Sequence, residues 1–211
     1  NMSHEIRTPL NIILSFTELM LEENNLNERK EYFSIVKRNS DGLLNIINDL
    51  LDMSKIEAGM LNYQIAGTDL NLLCKEVVND LSSTTQNDVK LLFKPEKDSF
   101  IINTDKQRLR QVIVNLVSNA CKFTTEGEIT ISYKQVSTDC LEIRVTDTGI
   151  GIATENIPKL FNRFTKLNSN AKGTGLGLVI CKSIIEHLGG EIGIESELGK
   201  GSSFWFTHPI S

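Results

Sequence analysis

Asn1–Asn11, NMSHEIRTPLN, place a histidine and a glutamate side by side, His4 and Glu5, just before Thr8, Pro9 and an apolar helical stripe. A neutral imidazole on a polar helix face can act as a nucleophile through one ring nitrogen while an acceptor stabilises its other N–H. A metal reading fails, because Thr8 stands where H-E-x-x-H needs its second histidine. Far along the chain, clusters of asparagine, aspartate and glycine read as a nucleotide site. The two features together make His4 the expected destination of a phosphoryl group.

The nucleotide cluster has three parts, each weak alone. Asn115 and Asn119, four apart, share one helix face, with Lys122 and Phe123 one turn further on. Neutral oxygen ligands suit Mg²⁺ shared with phosphates. An ammonium could neutralise phosphate charge, and an aromatic ring could pack on a base. By itself, such a pair is ordinarily a solvated face. Asp147-Thr148-Gly149-Ile150-Gly151-Ile152 follows an apolar strand. A carboxylate can accept from an exocyclic amine while glycines let backbone approach a flat ring, although D-x-G-x-G is equally an ordinary turn. Gly173-Thr174-Gly175-Leu176-Gly177-Leu178 opens a helix whose N–H groups could cradle phosphates. It lacks the dinucleotide spacing and any Walker lysine.

These residues need positioning elements. Ile6, Leu10, Ile13, Phe16 (or Thr17) and Met20 form one helical stripe; Ile35, Val36, Leu43, Ile46, Ile47, Leu50, Met53 and Ile56 form a second, over 28–58. Asn24–Asn27 breaks them and Gly59 is the expected stop. A two-helix hairpin cannot bury both faces, so a four-helix bundle formed by dimerisation is expected. Pro9 should bend the first helix.

Beyond Ile65 the pattern predicts helices over 69–81, 105–123 (capped by Asp105) and 174–188 (ended by Gly189-Gly190). It predicts strands over 91–94, 100–103, 128–136, 140–146, 191–195 and 202–207, and a short helix over 156–164. The fold class is α+β: a hairpin domain, 1–65, followed by an α/β-sandwich domain, 66–211, with mostly antiparallel strands.

At 211 residues and net charge −5, the chain can bury two small cores and lacks the basic face of a nucleic-acid binder. No apolar run approaches the roughly 20 residues of a membrane span, and no signal peptide is visible. The opening on Asn1 reads as a fragment. Cys74, Cys121, Cys140 and Cys181 lack metal spacing and read as buried free thiols in a reducing cytoplasm.

Taken in order, the motifs closely resemble those of the sensor histidine kinases. Asn1–Asn11 resembles their H box, 115–124 their N box, 147–152 their first glycine box, 161–164 their F box and 173–178 their second glycine box, across almost the whole chain. The resemblance implies a Bergerat-fold ATP domain. Asp147 would read the adenine amine, with Gly149 and Gly151 beside it and Phe123 lining the pocket. Asn119 would be the main Mg²⁺ ligand and Asn115 a second. Lys122 with Gly173, Thr174, Gly175, Leu176 and Gly177 would hold phosphates, under a lid over 152–172. Lys166 stands where many relatives carry Arg and would reach the γ-phosphate without a guanidinium's bidentate grip; Arg163 is the competing candidate. Glu5 would be the general base beside His4, and Glu5-x-x-Thr8 matches the pattern that supports receiver dephosphorylation. ATP-hydrolysing relatives carry a glutamate where Asn115 stands, and an amide is a poor base, which favours a kinase.

The implied protein is a homodimer that takes a phosphoryl group from Mg–ATP onto His4 and passes it to an aspartate of a response-regulator receiver. It would be the cytoplasmic part of an inner-membrane sensor, with no membrane contact of its own. Thr8, Ser15 and neighbours on the second helix would form the receiver docking surface. Two rivals stand beside it: an ATP-gated binding module without phosphotransfer, and a core acting chiefly as receiver phosphatase. Only three residues precede His4, so fraying there would let the fragment bind ATP well and phosphorylate itself poorly.

Overall fold

In the computed structural model, which describes residues 2–82, 85, 88–166 and 174–210, the chain divides into two compact units. One comprises Asn1–Leu61 with Arg163–Leu176; the other comprises Asn62–Asn162 with Gly177–Ser211.

The first unit is the expected helical hairpin, α1 (Met2–Glu22) and α2 (Leu26–Glu57). Asn25 caps α2 by accepting from the Asn27 N–H, which satisfies one of the donors a helix start leaves open. Gly59 ends it with φ 64°: its N–H donates to Ile56 and that of Met60 to Lys55. This is the Schellman arrangement, which favours glycine for its left-handed backbone. The inner stripe of α1 differs from expectation at one position. Pro9 is half-buried whereas Leu10 is 41% exposed. Pro9 lies within a helix that continues to Glu22. On α2, Ile47 is 40% exposed, and Tyr32, absent from the expected stripe, meets Phe16 edge-on at 5.5 Å between centroids. Met53 is the one buried side chain among the described residues of the two helices. Leu14, Leu21, Leu26, Phe33, Leu44 and Leu51 stay exposed, as two helices alone must leave them.

The second unit holds β1 (Ala66–Asp69), α3 (Leu70–Leu81), β2 (Val89–Lys94), β3 (Ile101–Thr104), α4 (Lys106–Phe123), β4 (Gly127–Gln135), β5 (Cys140–Asp147), a 3-10 helix (Thr154–Lys159), α5 (Gly177–His187), β6 (Ile192–Glu197) and β7 (Gly201–Pro209). A five-stranded sheet runs β2-β4-β5-β7-β6; β2 and β4 are parallel and the other pairs antiparallel. β1 and β3 form a separate antiparallel pair. Helices α3, α4 and α5 layer on the sheet. Period-two alternation turns Ile129, Ile131, Leu141, Ile143, Val145, Phe204 and Phe206 into the core, where they meet Leu109, Ile113, Leu116 and Ile184.

Several boundaries differ from the sequence pattern. β1 was not expected, and Asp69 is the cap of α3 rather than its first residue, accepting from the N–H groups of Asn71 and Leu72. Helix α5 begins at Gly177, not Thr174, because Gly175 takes φ 68° and cannot continue a helix. The short helix over 156–164 is a 3-10 turn placed earlier, Thr154–Lys159, and Phe164 has left-handed φ, 59°. Cys74 and Cys181 are buried as expected; Cys121 and Cys140 are only half-buried.

Candidate functional site

The site in the sheet unit begins with an inward row that ends in a charge. Along β5, Leu141, Ile143 and Val145 face the core, and period two makes Asp147 the next inward residue, 6% exposed. Its Oδ1 accepts from the Gly149 N–H at 2.9 Å and the Ser202 N–H at 3.3 Å. Oδ2 has no hydrogen bond among the described residues. Burial pushes its carboxyl above the ordinary range, against the two backbone hydrogen bonds that pull it down. One oxygen is thus pinned, and the second is left to accept from a ligand.

The turn after Asp147 is held from both sides. The Phe123 carbonyl accepts from Ile150 N–H, and a Cβ on Gly149 would lie 2.4 Å from that carbonyl oxygen. Any side chain at 149 would therefore push the turn off the end of α4. A Cβ on Gly151 would lie 2.0 Å from the Glu197 carbonyl oxygen, and Gly151 also takes φ 66°. Thr148 fastens the near end: its N–H donates to the Glu128 carbonyl and its hydroxyl accepts from the Glu128 N–H.

Helix α4 starts at the Asp105 cap, which accepts from the Arg108 N–H, and its apolar face (Leu109, Val112, Ile113, Leu116, Val117) is fully buried. That orientation sets Asn115 and Asn119 on a common flank, where the Asn119 amide donates to Asn115 Oδ1 at 3.4 Å. The α5 start is against them: a Cβ on Gly177 would lie 2.5 Å from Asn115 Nδ2. Lys122 Nζ lies 5.3 Å from the centroid of the Phe123 ring. Among the described residues no group of three or more His, Cys, Asp or Glu is placed to hold a metal. A cation at this flank would depend on the two amide oxygens together with oxygens of a ligand, a donor set that suits Mg²⁺.

In the helical unit, His4 and Thr8 are exposed and Glu5 is half-buried. The Thr8 hydroxyl donates to the His4 carbonyl at 3.1 Å, which leaves its lone pairs outward. Lys166 pairs with Glu5 and Arg163 with Glu57. The Thr174 hydroxyl donates to Asp49 Oδ2 at 2.9 Å and accepts from the Leu176 N–H at 3.1 Å. Burial raises the Asp49 carboxyl, an effect that the Thr174 hydrogen bond opposes and Asp52 reinforces. The Phe164 N–H donates to the Gly175 carbonyl, and a Cβ on Gly175 would lie 2.8 Å from Phe164.

The structure therefore gathers Asn115, Asn119, Phe123, Asp147, Gly149, Gly151 and Gly177 in one unit, with Lys122 beside Phe123. Arg163, Lys166, Thr174, Gly175 and Leu176 group with the hairpin instead. Gly173, and residues 167–172 of the expected lid, lie outside the described residues. Sequence reasoning missed Ser196 and Ser202. Both hydroxyls join the network around Asp147, and only the strand register reveals this.

Comparison with known proteins agrees with both halves. The family model described as histidine kinase-, DNA gyrase B-, and HSP90-like ATPase matches residues 104–211, and the His Kinase A (phospho-acceptor) domain model matches residues 1–59. The sensor protein GacS of Pseudomonas syringae is 41% identical over 98% of this chain, which spans 24% of that protein. A crystal structure of full-length ShkA in complex with AMPPNP superposes with TM-score 0.78 at 29% identity, covering 99% of this chain and 44% of that one. ThkA, crystallised with the response regulator protein TrrA, superposes with TM-score 0.72 at 26% identity, over 99% of this chain and 60% of that one.

Proposed function

We propose, since this chain belongs to the sensor histidine kinases of the histidine kinase-, DNA gyrase B-, and HSP90-like ATPase family, that it transfers the γ-phosphoryl group of ATP to His4 and then to a receiver aspartate. Residues 1–65 are the dimerisation and phosphoacceptor domain and 66–211 the ATP-binding domain. The exposed leucines and Phe33 are the surface that a second hairpin covers. The observation that carries the nucleotide reading is Asp147. A carboxylate placed in an apolar row, with one oxygen pinned and the other open beside two glycines, is suited to an exocyclic amine on a flat base.

Asn119 and Asn115 would hold Mg²⁺ through their amide oxygens, and the ion would supply neutralisation of phosphate charge. The α5 N–H groups opened by Gly177 would cradle phosphate, and Lys122 would add a cation. His4 attacks as the neutral imidazole. The Nε2 or Nδ1 lone pair forms the P–N bond as the bond to the leaving oxygen of ADP breaks, and Glu5 accepts the proton from the other nitrogen. Lys166, paired with Glu5 in this structure, must let go before Glu5 can do so. With Asn115 in place of a carboxylate on α4, the site has no base there to activate water, so ATP persists until imidazole arrives.

Two relatives of known structure support the partners: ShkA binds the ATP analogue AMPPNP, and ThkA binds a response regulator. Thr8 and Ser15, both exposed on α1, belong to the receiver docking surface. The whole protein is an inner-membrane sensor whose cytoplasmic part this is; within the described residues no helix is long and apolar enough to cross a membrane.

Incubation with γ-labelled ATP tests the reading. Acid-labile, base-stable label that disappears in His4→Gln is expected. ATP binding without any label would refute the kinase and support a binding module.

A further inference from the structure

A chain of hydrogen bonds leads away from Asp147 across the sheet to Ser196, a residue to which neither the motifs nor the proposed mechanism gives a role. Strand register creates it. Asp147 of β5 lies opposite Ser202 of β7, and Ser202 lies opposite Ser196 of β6, so the three sit in one row. The Ser202 N–H donates to Asp147 Oδ1. The Ser196 and Ser202 hydroxyls are 2.9 Å apart. Ser196 Oγ also donates to the Gly201 carbonyl at 2.9 Å and accepts from the Ile152 N–H at 2.8 Å.

A hydroxyl has one proton and two lone pairs. With its proton on Gly201, Ser196 accepts from both Ser202 and Ile152, and its capacity is complete. Ile152 is where the chain leaves the glycine turn. Beside it, the Gly199 N–H donates to the Ile150 carbonyl at 2.7 Å, and Gly151 lies against the Glu197 carbonyl. Backbone contacts thus hold residues 150–151, but a side chain holds 152.

We infer that Ser196 is a positioning residue for base recognition: it ties the exit of the glycine turn to the strand that orients Asp147. The inference rests on the nucleotide reading above. Without the hydroxyl, the Ile152 N–H loses its acceptor and Ser202 its neighbour, so the turn can drift and Oδ2 of Asp147 loses its aim at the exocyclic amine.

The test compares the 211-residue chain with Ser196→Ala and Ser196→Thr. Titration calorimetry would use ATP and the purine riboside triphosphate that lacks the 6-amino group. Losing one hydrogen bond to a backbone N–H should weaken ATP binding about tenfold. The analogue should lose no more than about twofold. Amide exchange at Ile152 should quicken in Ser196→Ala, and Ser196→Thr, which keeps the oxygen, should restore both. Equal losses for ATP and the analogue, or unchanged ATP affinity, would overturn the inference while the nucleotide reading stands. Failure of the wild-type chain to bind ATP would overturn both.

Discussion

Gly177→Ala separates what the site needs from what the fold needs. Gly177 is the first residue of α5, and it takes no left-handed φ, so alanine suits its backbone. Exchanging glycine for alanine in a helix stabilises by about 0.5–1 kcal/mol, less at a first position. The new Cβ, however, would lie 2.5 Å from Asn115 Nδ2 and 2.6 Å from Oδ1, against the 3.4 Å at which ordinary contact begins. The amide is the far end of a short side chain, so it yields by about 0.9 Å at small energetic cost. Asn119, which donates to Asn115 Oδ1, is disturbed with it. Mg²⁺ tolerates little departure from octahedral geometry, and disturbing the groups that orient its ligands costs about tenfold to a hundredfold in metal affinity. Thermal unfolding should therefore be unchanged or slightly raised. Affinity for a non-hydrolysable ATP analogue with Mg²⁺ should fall between about tenfold and a hundredfold, and affinity without Mg²⁺ should barely move. Calorimetry with and without the metal reads this directly. Unchanged Mg²⁺-dependent affinity would refute the placement of the metal at Asn115 and Asn119. Equal loss in both conditions would show that Gly177 serves the phosphates or the fold instead.

Three further outcomes follow from the same geometry. ATP affinity should fall as pH drops through the Asp147 pKa, at a midpoint above the ordinary value near 3.9, and Asp147→Asn should remove that pH dependence along with most binding; a flat wild-type profile would contradict the assignment. His208, buried with Nε2 2.9 Å from the Thr104 hydroxyl, has its pKa lowered by burial, against the Pro209 carbonyl that raises it. The folded state then binds fewer protons there than the unfolded state. Its contribution to stability is complete above about pH 6.5 and is lost as pH falls below that towards the depressed value. Denaturant melts at pH 7.5 and 5.8 should show this decline, and it should vanish in His208→Gln. Thr8→Ala should slow clearance of a phosphorylated receiver at least tenfold and leave His4 labelling intact; equal clearance would remove Thr8 from phosphatase chemistry.

Much of the molecule was legible because its signals are local. The Asp105 cap, the glycine stop at 59 and the alternation of 140–146 each depend on residues within one turn or one strand, and each appears, the strand running one residue further to Asp147. The α1 stripe was misread by one step, since Pro9 and Leu10 are both apolar and helical spacing alone does not choose between them. β1 escaped notice because Ala66-Gly67-Thr68-Asp69 carries little strand preference; its pairing with Ile101–Thr104 creates it. The parallel join of β2 to β4 is likewise a long-range fact.

By itself the sequence determined which groups this protein brings to chemistry: an imidazole beside a carboxylate, two amides one turn apart, a carboxylate ahead of paired glycines. Those choices are written in residue type and short spacing. Only the tertiary structure decided how they are held. Gly177 reaches Asn115 across 62 positions of sequence. Ser196 and Ser202 stand beside Asp147 because β7 lies between β5 and β6. Lys166 and Arg163 find carboxylates on the helices. Contacts of that range depend on register and packing, which no local pattern encodes.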